Sequence, residues 1–197
     1  MRTTKKPDER RNEILDTSMK LFMSKGYENT SVEDITNDMK VAKGSFYNYF
    51  KSKQEVFETC ILLMANATVE KYLVILNNCE KTVIERLIEY IEYNFEISQR
   101  QNKDLFEDIH SPNFDTIHSR VIAECSQKLM QTFTQLIKKG MAECNFQTID
   151  PEFTAAALLG ALGGVHDLLT KSSDYTPEEQ RRLIYDLMGQ ILGVKIY

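Results

Sequence analysis

The chain has 197 residues, of which 42% are apolar, and a formal net charge of −5. That is enough apolar material for a true core in one large or two small domains, and it excludes disordered and fibrous classes. Met1–Arg11 is basic and polar, and the longest apolar stretch, Ala155–Val165, is shorter than a bilayer span and broken by glycines, so a cytoplasmic protein with no membrane partner is expected.

In chain order, a basic arm with Arg2, Lys5 and Lys6 leads into Ile14, Leu15, Ser18, Leu21 and Phe22, a helical face that Gly26 closes. Ser31 with Asp34 has the spacing of a capping box, and Ser52 with Glu55 repeats it. Between them, Val32, Ile35 and Met39 fall at helical spacing. After a break too short for a loop, Val41, Phe46 and Phe50 do the same. Two short helices at a sharp turn make a helix-turn-helix. From Met39 to Gln54 the chain carries Lys40, Lys43, Lys51 and Lys53 and no carboxylate, so positive charge is local and suited to phosphate. Gly44, Ser45, Tyr47, Asn48 and Tyr49 lie beside Phe46 and Phe50 as small or hydrogen-bonding groups able to reach base edges and phosphates. The competing reading is a solvated charge run on two short helices. The basic arm is equally open to lying against DNA or to being a solubilising terminus.

This stretch, from about Arg10 to Phe57, resembles the amino-terminal domain of the tetracycline-repressor (TetR) family. The resemblance is carried by Ile14-Leu15, Leu21-Phe22, Gly26-Tyr27, Thr30-Ser31-Val32, Asp34-Ile35, Lys43-Gly44-Ser45-Phe46-Tyr47, Tyr49-Phe50, Lys53 and Val56-Phe57. It implies DNA contacts by Thr30, Ser31, Lys43, Gly44, Ser45, Tyr47, Asn48, Tyr49 and Lys53, in a DNA-binding domain over 1–55 followed by an effector-binding and dimerisation domain over 56–197. Two positions depart from the family pattern. Lys40 stands where the turn usually has glycine, at a left-handed backbone position that costs about 1 kcal/mol for a side chain. Ala42 stands where the reading helix usually has a Ser or Thr cap.

Beyond the head, Lys53–Leu76 is one long periodic segment. Thr82–Gln101 follows, with Val83, Leu87, Ile91 and Phe95 on one face. Asn102 caps a short helix to Ile109, ended by Ser111-Pro112. Phe114–Cys144 is another long amphipathic helix, and Asp150-Pro151 and Thr176-Pro177 start two more. With no period-two alternation, the expected fold is all-α with about nine helices. The central helices are rich in aromatic, sulfur and partly polar groups. Tyr90, Tyr93, Phe106, His110, Phe114, His118, Met130 and Phe133 are the candidate ligand contacts, with plain core packing as the alternative for each; the resemblance implies an effector cavity there. Ala155–Val165 places three glycines inside a helix, which calls for a close-packed neighbour in the same or a second subunit. TetR-like proteins dimerise through their last two helices, which points to Gly160, Gly164, Leu187 and Ile191 as interface residues.

Glu107-x-x-His110 and Asp115-x-x-His118 have metal-helix spacing but are close together across Ser111-Pro112 rather than on separate long helices, so no metal is expected. The single cysteines Cys60, Cys79, Cys125 and Cys144 lack the spacing of a zinc site or a disulfide framework. No catalytic set and no phosphate loop stands out, so neither catalysis nor a cofactor is expected. The leading reading is a homodimeric, ligand-responsive repressor that binds a pseudo-palindromic operator in double-stranded DNA and is released by a small, largely apolar effector. The alternative is a helical small-molecule- or metal-binding protein, catalytic or not, with a basic surface patch.

Overall fold

The computed structural model describes residues 6–100, 103–171 and 174–196, apart from the side chains of 98–100, 103, 104, 106 and 171. Nine α-helices and one 3₁₀ turn are found among the described residues, and no strand. They are α1 (Pro7–Lys25), α2 (Val32–Asp38), α3 (Lys43–Tyr47), α4 (Lys53–Leu76), α5 (Val83–Arg100), α6 (Lys103–Ile109), the turn Pro112–Phe114, α7 (Asp115–Glu143), α8 (Pro151–Lys171) and α9 (Pro177–Leu192). The chain is all-α, as its periodicity requires. Arg2 and Lys5 of the basic arm and the Asn102 cap lie outside the described residues.

The chain divides into two compact units, 1–65 with 101–119, and 66–100 with 120–197. This differs from a cut at 55/56, because α6, the 3₁₀ turn and the first residues of α7 pack with the amino-terminal helices. Burial of apolar faces drives that grouping. The first unit buries Ile14, Phe22, Ile35, Phe46, Phe50, Val56 and Phe57 together with Leu105, Ile109, Phe114 and Ile117. The second builds its core from Val69, Leu76, Leu87, Ile91, Phe133, Ile137, Leu158, Met188 and Leu192.

Local chemistry sets the helix ends. At α9 the Thr176 hydroxyl accepts from the Glu179 N–H at 3.2 Å while Glu179 accepts from the Thr176 N–H at 2.8 Å, a reciprocal cap with Pro177 at the first helical position. Asp150 caps α8 by accepting from the Phe153 N–H at 2.8 Å. Thr82 and Glu85 form a third box at the start of α5. Near the end of α7, a Cβ on Gly140 would run into the Phe146 ring, so only glycine lets the following chain fold back there. Between α5 and α9, Glu92 accepts from Arg181 Nε at 2.9 Å and from the Tyr185 hydroxyl at 2.6 Å.

Candidate nucleic-acid interface

The reading head is assembled from two short helices whose ends are treated differently. At α2 the Asp34 N–H donates to Ser31 Oγ at 3.0 Å, and the Ser31 N–H and hydroxyl donate to the Asp34 carboxylate at 2.7 and 2.6 Å. The Ser31 hydrogen bonds, with Lys25 at 3.2 Å, hold the Asp34 carboxyl down at about 2. The helix then ends in a left-handed turn. Lys40 has φ 55°, its N–H donates to the Asn37 carbonyl at 3.0 Å, and the Val41 N–H donates back to the Thr36 carbonyl at 3.0 Å. This is the paired bonding of a Schellman motif, and it places Lys40 where glycine is usual. The expectation from the sequence holds at this position.

Helix α3 starts at Ala42 with no side-chain cap, so burial must hold it. A five-residue helix has little stability of its own. Phe46 is fully buried and Phe50 nearly so, with ring centroids 6.0 Å apart, and the Arg11 guanidinium lies 4.9 Å over the Phe50 ring. That anchorage turns the opposite side outward. Lys43, Gly44, Tyr47 and Asn48 are exposed, and Ser45 and Tyr49 are half-buried. A Cβ added at Gly44 would meet no atom of the chain.

Two residues of the expected contact set face elsewhere. Thr30 is fully buried, and its hydroxyl donates to the Gly26 carbonyl at 2.7 Å; its side chain serves the turn and has no surface to offer. Lys53 is half-buried at the start of α4. Its ammonium donates to the Tyr27 carbonyl at 2.8 Å and sits 3.9 Å from the Tyr27 ring centroid, and burial pulls its pKa down. The ammonium is thus already engaged by a neutral carbonyl and a ring. At the same helix start the Glu55 N–H donates to Ser52 Oγ at 3.1 Å, while the Glu55 carboxylate accepts from the Lys51 N–H at 2.6 Å. The box therefore closes one residue earlier than its spacing implies.

Tyr27 joins the head to α6. Its N–H donates to Asp108 at 2.5 Å, and its ring lies 4.6 Å from Phe57 and 4.9 Å from Phe114. Phe22 and Phe57 are 5.0 Å apart, and Phe57 and Phe114 are 4.7 Å apart. Phe114, expected among ligand contacts, is a core residue of the DNA-reading unit. Sequence reasoning missed the Asp108 contact, since nothing local in a helix-spaced carboxylate marks a partner 81 residues away.

The other ligand candidates separate by unit. His110 and His118, in the first unit, have ring centroids 4.6 Å apart. In the second unit Tyr90 stacks edge-on against Phe133 at 5.3 Å and against Tyr72 at 4.7 Å, while Tyr93 lies 5.8 Å from Tyr72 and Met130 packs on the same core. The Tyr72 hydroxyl donates to Asn94 Oδ1 at 2.6 Å, and Asn94 Nδ2 donates to the Tyr90 carbonyl at 2.7 Å. Burial pushes the Tyr72 phenol far up and Tyr90 to about 12, so both stay protonated donors. The Phe106 side chain lies outside the described residues.

A capped helix, a left-handed turn and a second helix held by two buried phenylalanines define a helix-turn-helix DNA-binding protein. Residues 14–60 match the family described as bacterial regulatory proteins, tetR family, so the chain carries the amino-terminal DNA-binding domain of that family. It is 45% identical over 58 residues to the HTH-type transcriptional regulator YuxN of Bacillus subtilis, a match covering 29% of this chain and only 19% of YuxN. Over 152 residues it is 23% identical to the HTH-type transcriptional repressor KstR2 of Mycolicibacterium smegmatis, covering 74% of this chain and 71% of that one. The fold matches a transcriptional regulator from Cytophaga hutchinsonii with a TM-score of 0.70, at 22% identity and with 92% and 96% of the two chains covered. These proteins are transcription regulators by name.

Proposed function

We propose that the protein is a homodimeric repressor that binds a pseudo-palindromic operator and releases it when a small, largely apolar effector binds. The carrying observation is the outward face of α3: Lys43, Gly44, Tyr47 and Asn48 exposed over a buried Phe46–Phe50 anchor. Lys43 and Tyr47 reach phosphate, while Ser45 and Asn48 reach base edges. Tyr49 and the exposed Ser31 contribute backbone contacts. Gly44 lets the DNA backbone come close, since no part of the chain itself needs a glycine there. Lys53 acts through its position at the head of α4, holding Tyr27 while the helix start faces phosphate.

Dimerisation uses α8 and α9. Phe153, Ala157, Gly160, Gly164 and Leu168 recur at helical spacing and are exposed, and a Cβ at Gly160 or Gly164 would meet no atom of its own chain. Leu183 is exposed, and Leu187 and Ile191 are half-buried on α9. By length and composition α4 and α8 also reach the hydropathy of a membrane span, 1.5 and 1.3. A second copy is the better cover for α8, because the small residues set along its open face are what close helix pairing requires. The effector lies among Tyr72, Tyr90, Tyr93, Met130 and Phe133, where rings offer contact area and Asn94 with the Tyr72 hydroxyl can exchange a hydrogen bond. Helix α4 contributes Val56 and Phe57 to the first core and Tyr72 and Leu76 to the second. An effector displacing Tyr72 therefore acts on the helix that begins at the head, and biases a head separation that must match half-sites about 34–36 Å apart. The protein works in the cytoplasm, where operator DNA is.

Two measurements test this reading. Retention on duplex DNA must fall steeply from low to moderate salt, and a salt-insensitive head would leave a helical binding protein with a basic patch. Effector affinity by calorimetry, with and without saturating operator, must differ by the factor by which effector weakens operator binding. Equal affinities would refute ligand-controlled release.

A further inference from the structure

We infer that His110 and His118 form a binding site for one divalent transition-metal ion of the zinc, nickel or copper type. The two imidazoles come from different elements of the same compact unit. His110 directly follows the last residue of α6, and His118 lies in the first turn of α7. Their rings are 4.6 Å apart at 66°, and their ring nitrogens approach within 4.8 Å. Metal–imidazole bonds of about 2.0–2.1 Å place two nitrogens of one ion roughly 3.3–4.1 Å apart, so a small rotation of either half-buried ring closes the bite. Neutral imidazole suits zinc, copper and nickel, whereas magnesium and calcium prefer oxygen ligands. Glu107 and Asp115, both exposed, each precede one of these histidines by three residues; within α7 that spacing sets the Asp115 carboxylate on the helix face of His118 and adds negative potential beside the ion. Water completes the coordination shell.

The location gives the ion a consequence. Between the two histidines runs the corner Ser111–Asp115, next to Asp108, which holds the Tyr27 N–H, and including Phe114, which packs on Tyr27 and Phe57. An ion bridging α6 to α7 clamps that corner and with it the aromatic core beneath the reading helices. Binding only to the folded state, it raises the stability of that unit.

The test uses the full-length chain, freed of metal by a chelator, titrated with zinc by calorimetry at pH 7.5. Wild type is compared with His110→Gln, His118→Gln and, as a control for the exposed thiol, Cys79→Ser. One ion per chain is expected, with affinity at least about tenfold weaker in each glutamine variant and unchanged in Cys79→Ser. Zinc should be released at pH 5.5, where imidazoles protonate. Equal affinity in wild type and both glutamine variants, or loss of binding in Cys79→Ser, overturns the site. If a glutamine variant does not fold, the wild type decides: zinc must move the assigned His110 and His118 ring proton signals, and unmoved signals overturn the inference.

Discussion

Two aromatic clusters, one in each unit, are built from similar rings and surrounded by different polar chemistry. In the first, Phe22, Phe57 and Phe114 pack around Tyr27 with centroids 4.6–5.9 Å apart, and the polar bonds that touch the cluster use the backbone of Tyr27. In the second, Tyr72 packs on Tyr90 and Tyr93, Tyr90 packs on Phe133, and the Tyr72 hydroxyl and the Asn94 amide form a side-chain network beside them. Rings bonded through the main chain are fixed by the fold. A hydroxyl bonded to an amide can change partners, which is what a ligand site requires. The first cluster is a foundation; the second is the buried cluster in which the proposed effector would meet exchangeable hydrogen bonds.

The largest expected effect separates them directly. Phe57→Ala should destabilise the reading unit by about 3–5 kcal/mol, seen as a lower denaturation midpoint and lost operator binding. A mild effect would show that the first cluster tolerates rearrangement, erasing the contrast. Gly164→Leu acts on the second unit from outside: with open space over Gly164, folding should be nearly unaffected while dimerisation weakens more than about tenfold, or 1.4 kcal/mol, by sedimentation. An unchanged dimer would move the interface off α8. Tyr72→Phe removes one hydroxyl and leaves Asn94 short of a donor, at a cost of about 1 kcal/mol. If the second cluster is an effector site, affinity in a ligand screen must change as well; identical ligand responses would reduce it to core. Lys40→Gly should stabilise the head by about 1 kcal/mol, since glycine relieves the left-handed strain.

The smallest effect is one of pH. Asp34, held at about 2 by its Ser31 bonds, has a folded pKa below its unfolded value of 3.8. Its stabilisation is therefore fully present above about pH 4 and is lost as pH falls through about 2. A carboxyl titration followed by NMR should show this midpoint, and Ser31→Ala should raise it.

What could be read from residues alone was what residues a few places apart decide. The Ser31–Asp34 and Thr176–Glu179 caps follow from spacing and side-chain type, whereas the left-handed Lys40 and the uncapped Ala42 are legible through the resemblance, as departures from its pattern. The Thr82–Glu85 box has the same signature and is equally legible. Thr30 and Lys53 mark the limit. Their chemistry suits DNA, yet a buried hydroxyl on Gly26 and an ammonium on Tyr27 are tertiary choices that no local pattern carries. The same holds for Phe114, whose spacing fits a long helix but whose ring belongs under the reading head, and for Asp108.

The bond from Asp108 to Tyr27, with Phe114 beside it, bears on how this protein can be cut and recombined. A chimera joined at residue 55 or 56, grafting this reading head onto another regulator's body, would leave Phe57, Phe114 and Asp108 behind. The Tyr27 N–H would lose its acceptor, and the Phe22 and Tyr27 rings would lose their cover. Such grafts should aggregate or fold poorly unless the donor segment runs to residue 65 and includes 101–119, so DNA specificity is better exchanged by replacing α3 side chains in place.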